Sequence, residues 1–139
     1  MTDHIDELKR LARQNALFAL GKPIATIIDS LMSADEVPLV VVPMRDVWMS
    51  GTRLKGIRPL VTVTDRQVIV VTYMGRLIWR GPPKHVRFNR SDIVQISEYS
   101  GRAFEMTLAN GQTVKMRGLI GGKHEDQMPL HLYQIISNR

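Results

Sequence analysis

The best candidate for chemistry in this sequence is a cluster of cations in the segment Arg53-Leu54-Lys55-Gly56-Ile57-Arg58. Its three positive side chains could converge on one multiply charged anion, such as a phosphate group. The same composition is also typical of a solvated loop that keeps a protein soluble. The segment therefore predicts either an anion-binding loop or an ordinary charged surface.

The net charge of the chain is concentrated around this cluster. Residues 45–90 carry +8, whereas residues 1–44 carry −2 and residues 91–139 are neutral in sum, which gives the formal net charge of +6. Concentrated positive charge favours an anionic partner. Other cations of the middle segment could extend the cluster, or could protect an edge strand from aggregation. They are Arg76, Arg80, Lys84, Arg87 and Arg90.

Two tryptophans have more than one interpretation. Trp48, followed by Met49, could insert into a membrane interface or pack against a partner, because its ring is apolar and its indole N–H is polar. It could equally belong to the core at the end of a sheet. Trp79 has the same alternatives.

No arrangement typical of an enzyme or of a metal site is readable. The triplet His124-Glu125-Asp126 lacks the partnered spacing of a zinc motif, and helix capping by Asp126 explains it more simply. The histidines are scattered through different predicted elements, so no Ser-His-Asp set emerges. Residues 118–123 are rich in glycine but lack the spacing of a phosphate-binding P-loop. We therefore expect no catalysis, no cofactor and no metal.

The composition is that of one globular domain. With 139 residues, of which 44% are hydrophobic, the chain can bury a core without a metal or a disulfide. It contains no cysteine, which suits a reducing compartment. The N-terminus lacks the apolar run of a signal peptide, and no stretch has the ~20 apolar residues of a membrane span. We expect a cytoplasmic protein that can lie at the periphery of a membrane.

Two amphipathic helices are predicted at the N-terminus. Residues 3–20 have apolar side chains at helical spacing, among them Ile5 and Leu8, and Gly21 with Pro23 ends this helix. A second helix follows, and its apolar face consists of Ile24, Ile27, Ile28 and Leu31. Together the two helices present more apolar surface than a small barrel must cover. Such surface predicts a protein partner or a homo-oligomer.

From Glu36 onward the hydrophobic period is that of strands. Strands are predicted at residues 37–42, 60–64, 67–73, 84–90, 93–99, 104–108 and 112–117, and residues 77–79 are a candidate for a further short strand. Residues 46–56 are expected to form a loop or loose hairpin, and residues 126–137 a C-terminal helix. We expect an α+β fold, in which a bent antiparallel sheet or half-open barrel of about seven strands is capped by the last helix.

Two segments have a familiar form. Residues 60–70 read as a strand, the turn Thr64-Asp65-Arg66 and a second strand, and Phe88-Asn89-Arg90-Ser91-Asp92-Ile93 reads as a strand that enters a corner. The later Asn110-Gly111 hairpin and the amphipathic C-terminal helix agree with the same pattern. In these segments the chain resembles the bacterial pleckstrin-homology-like (PH-like) domains, which are similar to the PH and GRAM modules.

The resemblance implies a seven-stranded barrel capped by a helix, with residues 36–139 as the PH-like domain and residues 1–35 as an N-terminal helical extension. It implies a binding module rather than an enzyme, but no single ligand. In lipid-binding members, the loop between the first two strands carries basic residues that grip inositol phosphates. The candidate ligand-binding residues are Arg53, Lys55 and Arg58 of this segment, together with Arg76 and Arg87, which could extend the same patch.

Three functional hypotheses remain open at this level. The first is docking on an anionic lipid surface through the basic cluster. The second is binding of a protein partner or a second copy of the chain through the N-terminal helices. The third is nucleic-acid binding, which the charge permits but which is poorly supported, because only 6% of residues are aromatic and no stacking motif lies on a strand.

Overall fold

The computed structural model describes residues 4–16, 20–55, 59–72, 83–118 and 123–138. The helices of the described residues are α1 (Ile5–Ala16), α2 (Lys22–Ser30) and α3 (Lys123–Ser137). The strands are β1 (Pro38–Pro43), β2 (Asp46–Met49), β3 (Thr52–Arg53), β4 (Leu60–Thr64), β5 (Gln67–Thr72), β6 (Lys84–Asn89), β7 (Ile93–Ile96), β8 (Ala103–Leu108) and β9 (Thr113–Arg117). A short 3-10 helix, Arg90–Asp92, connects β6 to β7.

The strands form two antiparallel sheets. The first sheet has the order β1-β4-β5-β6, and the second has the order β3-β2-β9-β8-β7. The α+β class and the antiparallel pairing are therefore as predicted, but the expected single bent sheet is divided in two. Residues 46–56, expected as a loop or loose hairpin, supply β2 and β3. The predicted strand at residues 77–79 lies outside the described residues.

The division into two sheets has a local cause at the junction of β1 and β2. Pro43 has no N–H to donate, which is compatible with the end of a ladder. Beyond it, the backbone N–H of Met44 donates to Pro59, whereas the N–H of Arg45 donates to Arg117 at the end of β9. The chain thus changes its hydrogen-bonding partner within two residues, and one segment serves both sheets.

The main hydrophobic core lies between the two sheets. Valines of β1, β4 and β5 face Phe104 and Met106 of β8 and Val114 and Met116 of β9. Helix α3 contributes Leu132 and Ile136, which are fully buried in this core. The predicted C-terminal helix is present, and one of its faces closes part of the core.

The N-terminal helices cover the outer face of the first sheet. Leu8 of α1 and Ile28 of α2 are fully buried, in one cluster with Val41, Ile69 and Val71 of that sheet. Strands β4 and β5 are consequently buried on both faces. The two helices were predicted correctly, but the expectation that their apolar faces lie open for a partner is wrong, because the sheet covers them.

A buried carboxylate holds the connection between α2 and β1 onto the first sheet. Glu36 is only 3% exposed. It accepts hydrogen bonds from the Thr64 hydroxyl at 2.5 Å, the Gln67 side-chain amide at 2.9 Å and the Ser33 backbone N–H at 3.2 Å. These donors offset much of the desolvation cost of a buried charge.

None of the helices within the described ranges is long and apolar enough to cross a membrane.

Candidate anion-docking face

The outer face of the second sheet gathers cations from β3, from β9 and from Arg45, the residue before β2. Because side chains alternate along a strand, the burial of Val47, Val114 and Met116 turns their neighbours outward. In the ladder between β2 and β9, Trp48 lies opposite Lys115. In the hairpin between β2 and β3, the same Trp48 lies opposite Arg53. We name this surface the Trp48 face; it consists of Arg45, Asp46, Trp48, Arg53, Lys115 and Arg117.

Asp46 is the negative centre of the Trp48 face. Its side chain is 12% exposed, and the Arg117 guanidinium donates to its Oδ2 from NH2 at 2.7 Å and from Nε at 3.2 Å. The guanidinium groups of Arg45 and Arg53 each approach within 3.7 Å of a carboxylate oxygen of Asp46. One carboxylate therefore orients three guanidinium groups.

Two of the cations lie over the ring of Trp48. Its half-buried ring has the Lys115 ammonium 5.3 Å and the Arg117 guanidinium carbon 5.2 Å from its centroid. Both distances fall within the range of a cation–π interaction. The interpretation of Trp48 as a core residue is wrong, because it belongs to neither buried cluster. It is a platform on the sheet surface.

The charges of the Trp48 face do not cancel. Three guanidinium groups surround the Asp46 carboxylate, and Lys115 over Trp48 is the fourth cation. Glu105, which lies opposite Lys115 in the β8–β9 ladder, adds a second negative charge at the margin. Lys115 and Glu105 are exposed, and the side chains of Arg45, Arg53 and Arg117 are roughly half-exposed. A net positive, solvent-accessible sheet surface of this kind attracts anions.

Comparison with known proteins identifies the fold. No protein-family model matches the chain, and no curated protein matches it. Among solved structures, the chain is similar to one described as the Vps36 N-terminal PH domain, with a TM-score of 0.53 and 8% sequence identity. The match covers 77% of this chain and 83% of that one. The chain has a PH-like fold. At this identity the likeness shows the fold alone, so the resemblance read from the sequence is confirmed for the fold.

The PH-like fold places the predicted ligand-binding residues on different surfaces. Arg53 belongs to the Trp48 face, and Lys55 is exposed two residues after it. Arg87 lies on β6 opposite Ile69, on the side of the first sheet that the helices cover. Arg58 and Arg76 lie outside the described residues, as do Arg80 and Trp79. The structure thus separates Arg53 from Arg87, and the role of all five in binding stays a prediction.

Two other cations of the middle segment have structural partners. Arg90 is only 9% exposed and donates from NH1 to the Thr64 carbonyl at 3.1 Å and from NH2 to the Ile135 carbonyl at 2.7 Å. It therefore ties α3 to the first sheet and does not extend a surface patch. Arg66 donates twice to the Asp35 carboxylate, at 2.7 and 3.1 Å, and this ion pair lowers the pKa of Asp35.

A groove of about 970 Å³ opens along the edge strand β6. Half-buried apolar side chains form part of its wall, including Met49, Leu54 and Phe88. Arg87 lines the same groove as Leu54 of the basic segment, whereas Arg53 does not line it. The groove is a second surface on which a partner could dock.

Sequence reasoning missed Lys115, Arg117 and Arg45 as candidates for binding. The alternation in β9 already predicts that Lys115 and Arg117 face outward. Nothing in the local sequence, however, predicts that β9 pairs with β2, since Asp46 and Arg117 are 71 residues apart. Among the described residues no group of histidines and acids could hold a metal ion, and the side chains of His124-Glu125-Asp126 lie outside them.

Proposed function

We propose that this chain is a non-catalytic, PH-like interaction module that docks on anionic lipid headgroups of a membrane through the Trp48 face. The observation that carries the proposal is the gathering of four cations around Trp48 and Asp46 on one accessible face of a sheet. The PH-like fold supports a binding module. The sequence-predicted Arg53 is part of this face.

The electrostatics of the face determine how strong the docking should be. Each cation near an anionic membrane surface contributes about 1 kcal/mol to the free energy of binding. Two excess charges remain after Asp46 and Glu105 are taken into account, which corresponds to a preference of roughly thirtyfold for an anionic over a neutral surface. Because the Debye length shortens as salt rises, this preference should fall steeply with ionic strength.

Co-sedimentation with vesicles tests the proposal. Wild-type protein should bind vesicles of phosphatidylcholine mixed with phosphatidylglycerol more tightly than vesicles of phosphatidylcholine alone, and salt should weaken that binding. The double variant Arg53→Gln/Lys115→Gln should lose most of the preference. The matched control Arg13→Gln/Lys22→Gln removes the same charge from exposed positions of α1 and α2, on the opposite side of the molecule, and should bind like wild type. Equal binding of wild type to both vesicles would refute the proposal.

A second candidate function is docking of a protein partner or a second copy of the chain in the groove along β6. The half-buried apolar residues Met49, Leu54 and Phe88 favour it. The N-terminal helices do not favour a partner, because the first sheet covers their apolar faces. Light scattering over a concentration series tests self-association, and Leu54→Ser should abolish any dimer that uses the groove. A dimer that Leu54→Ser leaves intact would exclude the groove as its interface.

A further inference from the structure

The three guanidinium groups around Asp46 are not equivalent. Arg117 makes two hydrogen bonds to Oδ2 of Asp46 and also lies over the Trp48 ring, so two separate contacts fix its position. Arg45 and Arg53 reach Asp46 only at 3.7 Å, which is beyond a normal hydrogen bond. Their side chains are 48% and 51% exposed. Arg117 is thus held in place, while Arg45 and Arg53 are free to turn toward an incoming anion.

Asp46 itself cannot move away easily. Its side chain is 12% exposed, and its two bonds from Arg117 hold it at the sheet surface beneath the guanidinium groups. Any anion that approaches Arg45 and Arg53 therefore meets a fixed negative charge that attracts the same two groups. Such an internal charge reduces the affinity for every anion.

We propose that Asp46 is an internal counter-ion that sets the affinity of the Trp48 face, an inference that rests on the proposed function. When a lipid phosphate docks, Arg45 and Arg53 exchange Asp46 for the phosphate oxygens, and Arg117 stays on Asp46. A phosphate can accept hydrogen bonds from both guanidinium groups at once, at shorter distances than Asp46 allows. The pairs of Arg45 and Arg53 with Asp46 are displaced only by an anion that binds the two guanidinium groups more tightly than Asp46 does, or by a dense layer of anions.

The variant Asp46→Asn tests this role, because it keeps the size of the side chain and removes its charge. We expect it to bind phosphatidylglycerol-containing vesicles about fivefold more tightly than wild type at low salt. The matched control is Glu7→Gln, which removes one carboxylate that pairs with Arg10 on α1, on the other side of the molecule. Glu7→Gln should leave the affinity unchanged. An equal gain in both variants would mean that only net charge matters, and would overturn the inference.

Thermal unfolding separates this role from a purely structural one. Asp46→Asn weakens the bonds to Arg117, so its Tm should fall below that of wild type while its affinity rises. A lower Tm without tighter binding would show that Asp46 only joins β2 to β9.

Side-chain NMR of the wild type gives a test that does not depend on the variant. On addition of nanodiscs with phosphatidylglycerol, the Nε–Hε signals of Arg45 and Arg53 should shift, and that of Arg117 should not. A shift of Arg117 equal to the others would contradict the exchange. Failure of the wild type to bind anionic vesicles at all would instead refute the proposed function, so the two failures are distinguishable.

Discussion

The Arg87 guanidinium donates a hydrogen bond to the carbonyl oxygen of Leu31, 56 residues earlier in the chain, at 3.0 Å. Leu31 is the C-cap residue of α2, and the side-chain amide of Gln67 donates to the same oxygen at 2.9 Å. A cation at the C-terminal end of a helix is favoured by the helix dipole and satisfies a carbonyl that has no partner within the helix. Arg87 thereby joins α2 to the edge strand β6.

Replacement of Arg87 should therefore affect stability rather than binding. We expect Arg87→Gln to lower the free energy of unfolding by about 1 kcal/mol, the usual contribution of an exposed, charge-assisted hydrogen bond. Urea unfolding measures it. The control Lys84→Gln removes the same charge from the same strand and should unfold like wild type. If Arg87→Gln kept its stability and lost binding to anionic vesicles, the sequence-based assignment of Arg87 to the ligand would be right and the structural role wrong.

Removal of the N-terminal helices should unfold the protein. A chain that begins at Glu36 would expose Val41, Ile69 and Val71, which α1 and α2 now cover completely. Each such side chain contributes about 1.5–3 kcal/mol when buried, and several of them approach the whole stability of a small domain. Circular dichroism and light scattering of the truncated chain should show lost structure or aggregation. A folded monomer would instead support residues 36–139 as an independent domain.

The elements that were readable from the sequence are those set by local spacing. Helices α1 and α2 follow from apolar residues at helical intervals, and the β4–β5 hairpin follows from alternation around Asp65-Arg66. The start of α2 near Pro23 is equally local. These predictions needed no knowledge of partners distant in the chain.

The features that escaped prediction depend on distant pairing. The change of partner at Met44 and Arg45 requires both β4 and β9 to be in place. Arg53 and Lys115 meet at Trp48 only because β3 and β9 flank β2. Composition therefore pointed to Arg53, whereas the other residues of the Trp48 face come together only through pairing of strands distant in the chain.

Gly118 should not tolerate a side chain. A Cβ atom at this position would lie 2.5 Å from Cγ and 2.6 Å from Cβ of Pro129, so α3 would have to move. We expect Gly118→Ala to lower the free energy of unfolding by about 1–3 kcal/mol. Gly21→Ala is the control, because its Cβ would meet only Pro23, at 3.8 Å. In a double-mutant cycle, Gly118→Ala should lower the free energy of unfolding less in a Pro129→Gly background, because glycine removes both Cβ and Cγ of residue 129. Equal costs in both backgrounds would mean that the contact with Pro129 is not the cause.

The ion pair between Asp35 and Arg66 should give a measurable dependence on pH. Hydrogen bonds from Arg66, then a backbone hydrogen bond at Asp35 and then the charge of Arg66, hold the pKa of Asp35 below the ordinary value of an aspartate. A depressed pKa in the folded state means that the pair stabilises the fold above the unfolded pKa, and that this contribution disappears as the pH falls through the folded value. NMR titration of the Asp35 carboxyl carbon in Arg66→Gln should show a midpoint closer to the ordinary one. In the control Arg10→Gln, the pKa of Glu7 should rise and that of Asp35 should stay the same. A titration of Asp35 that Arg66→Gln leaves unchanged would show that the pair does not form in solution.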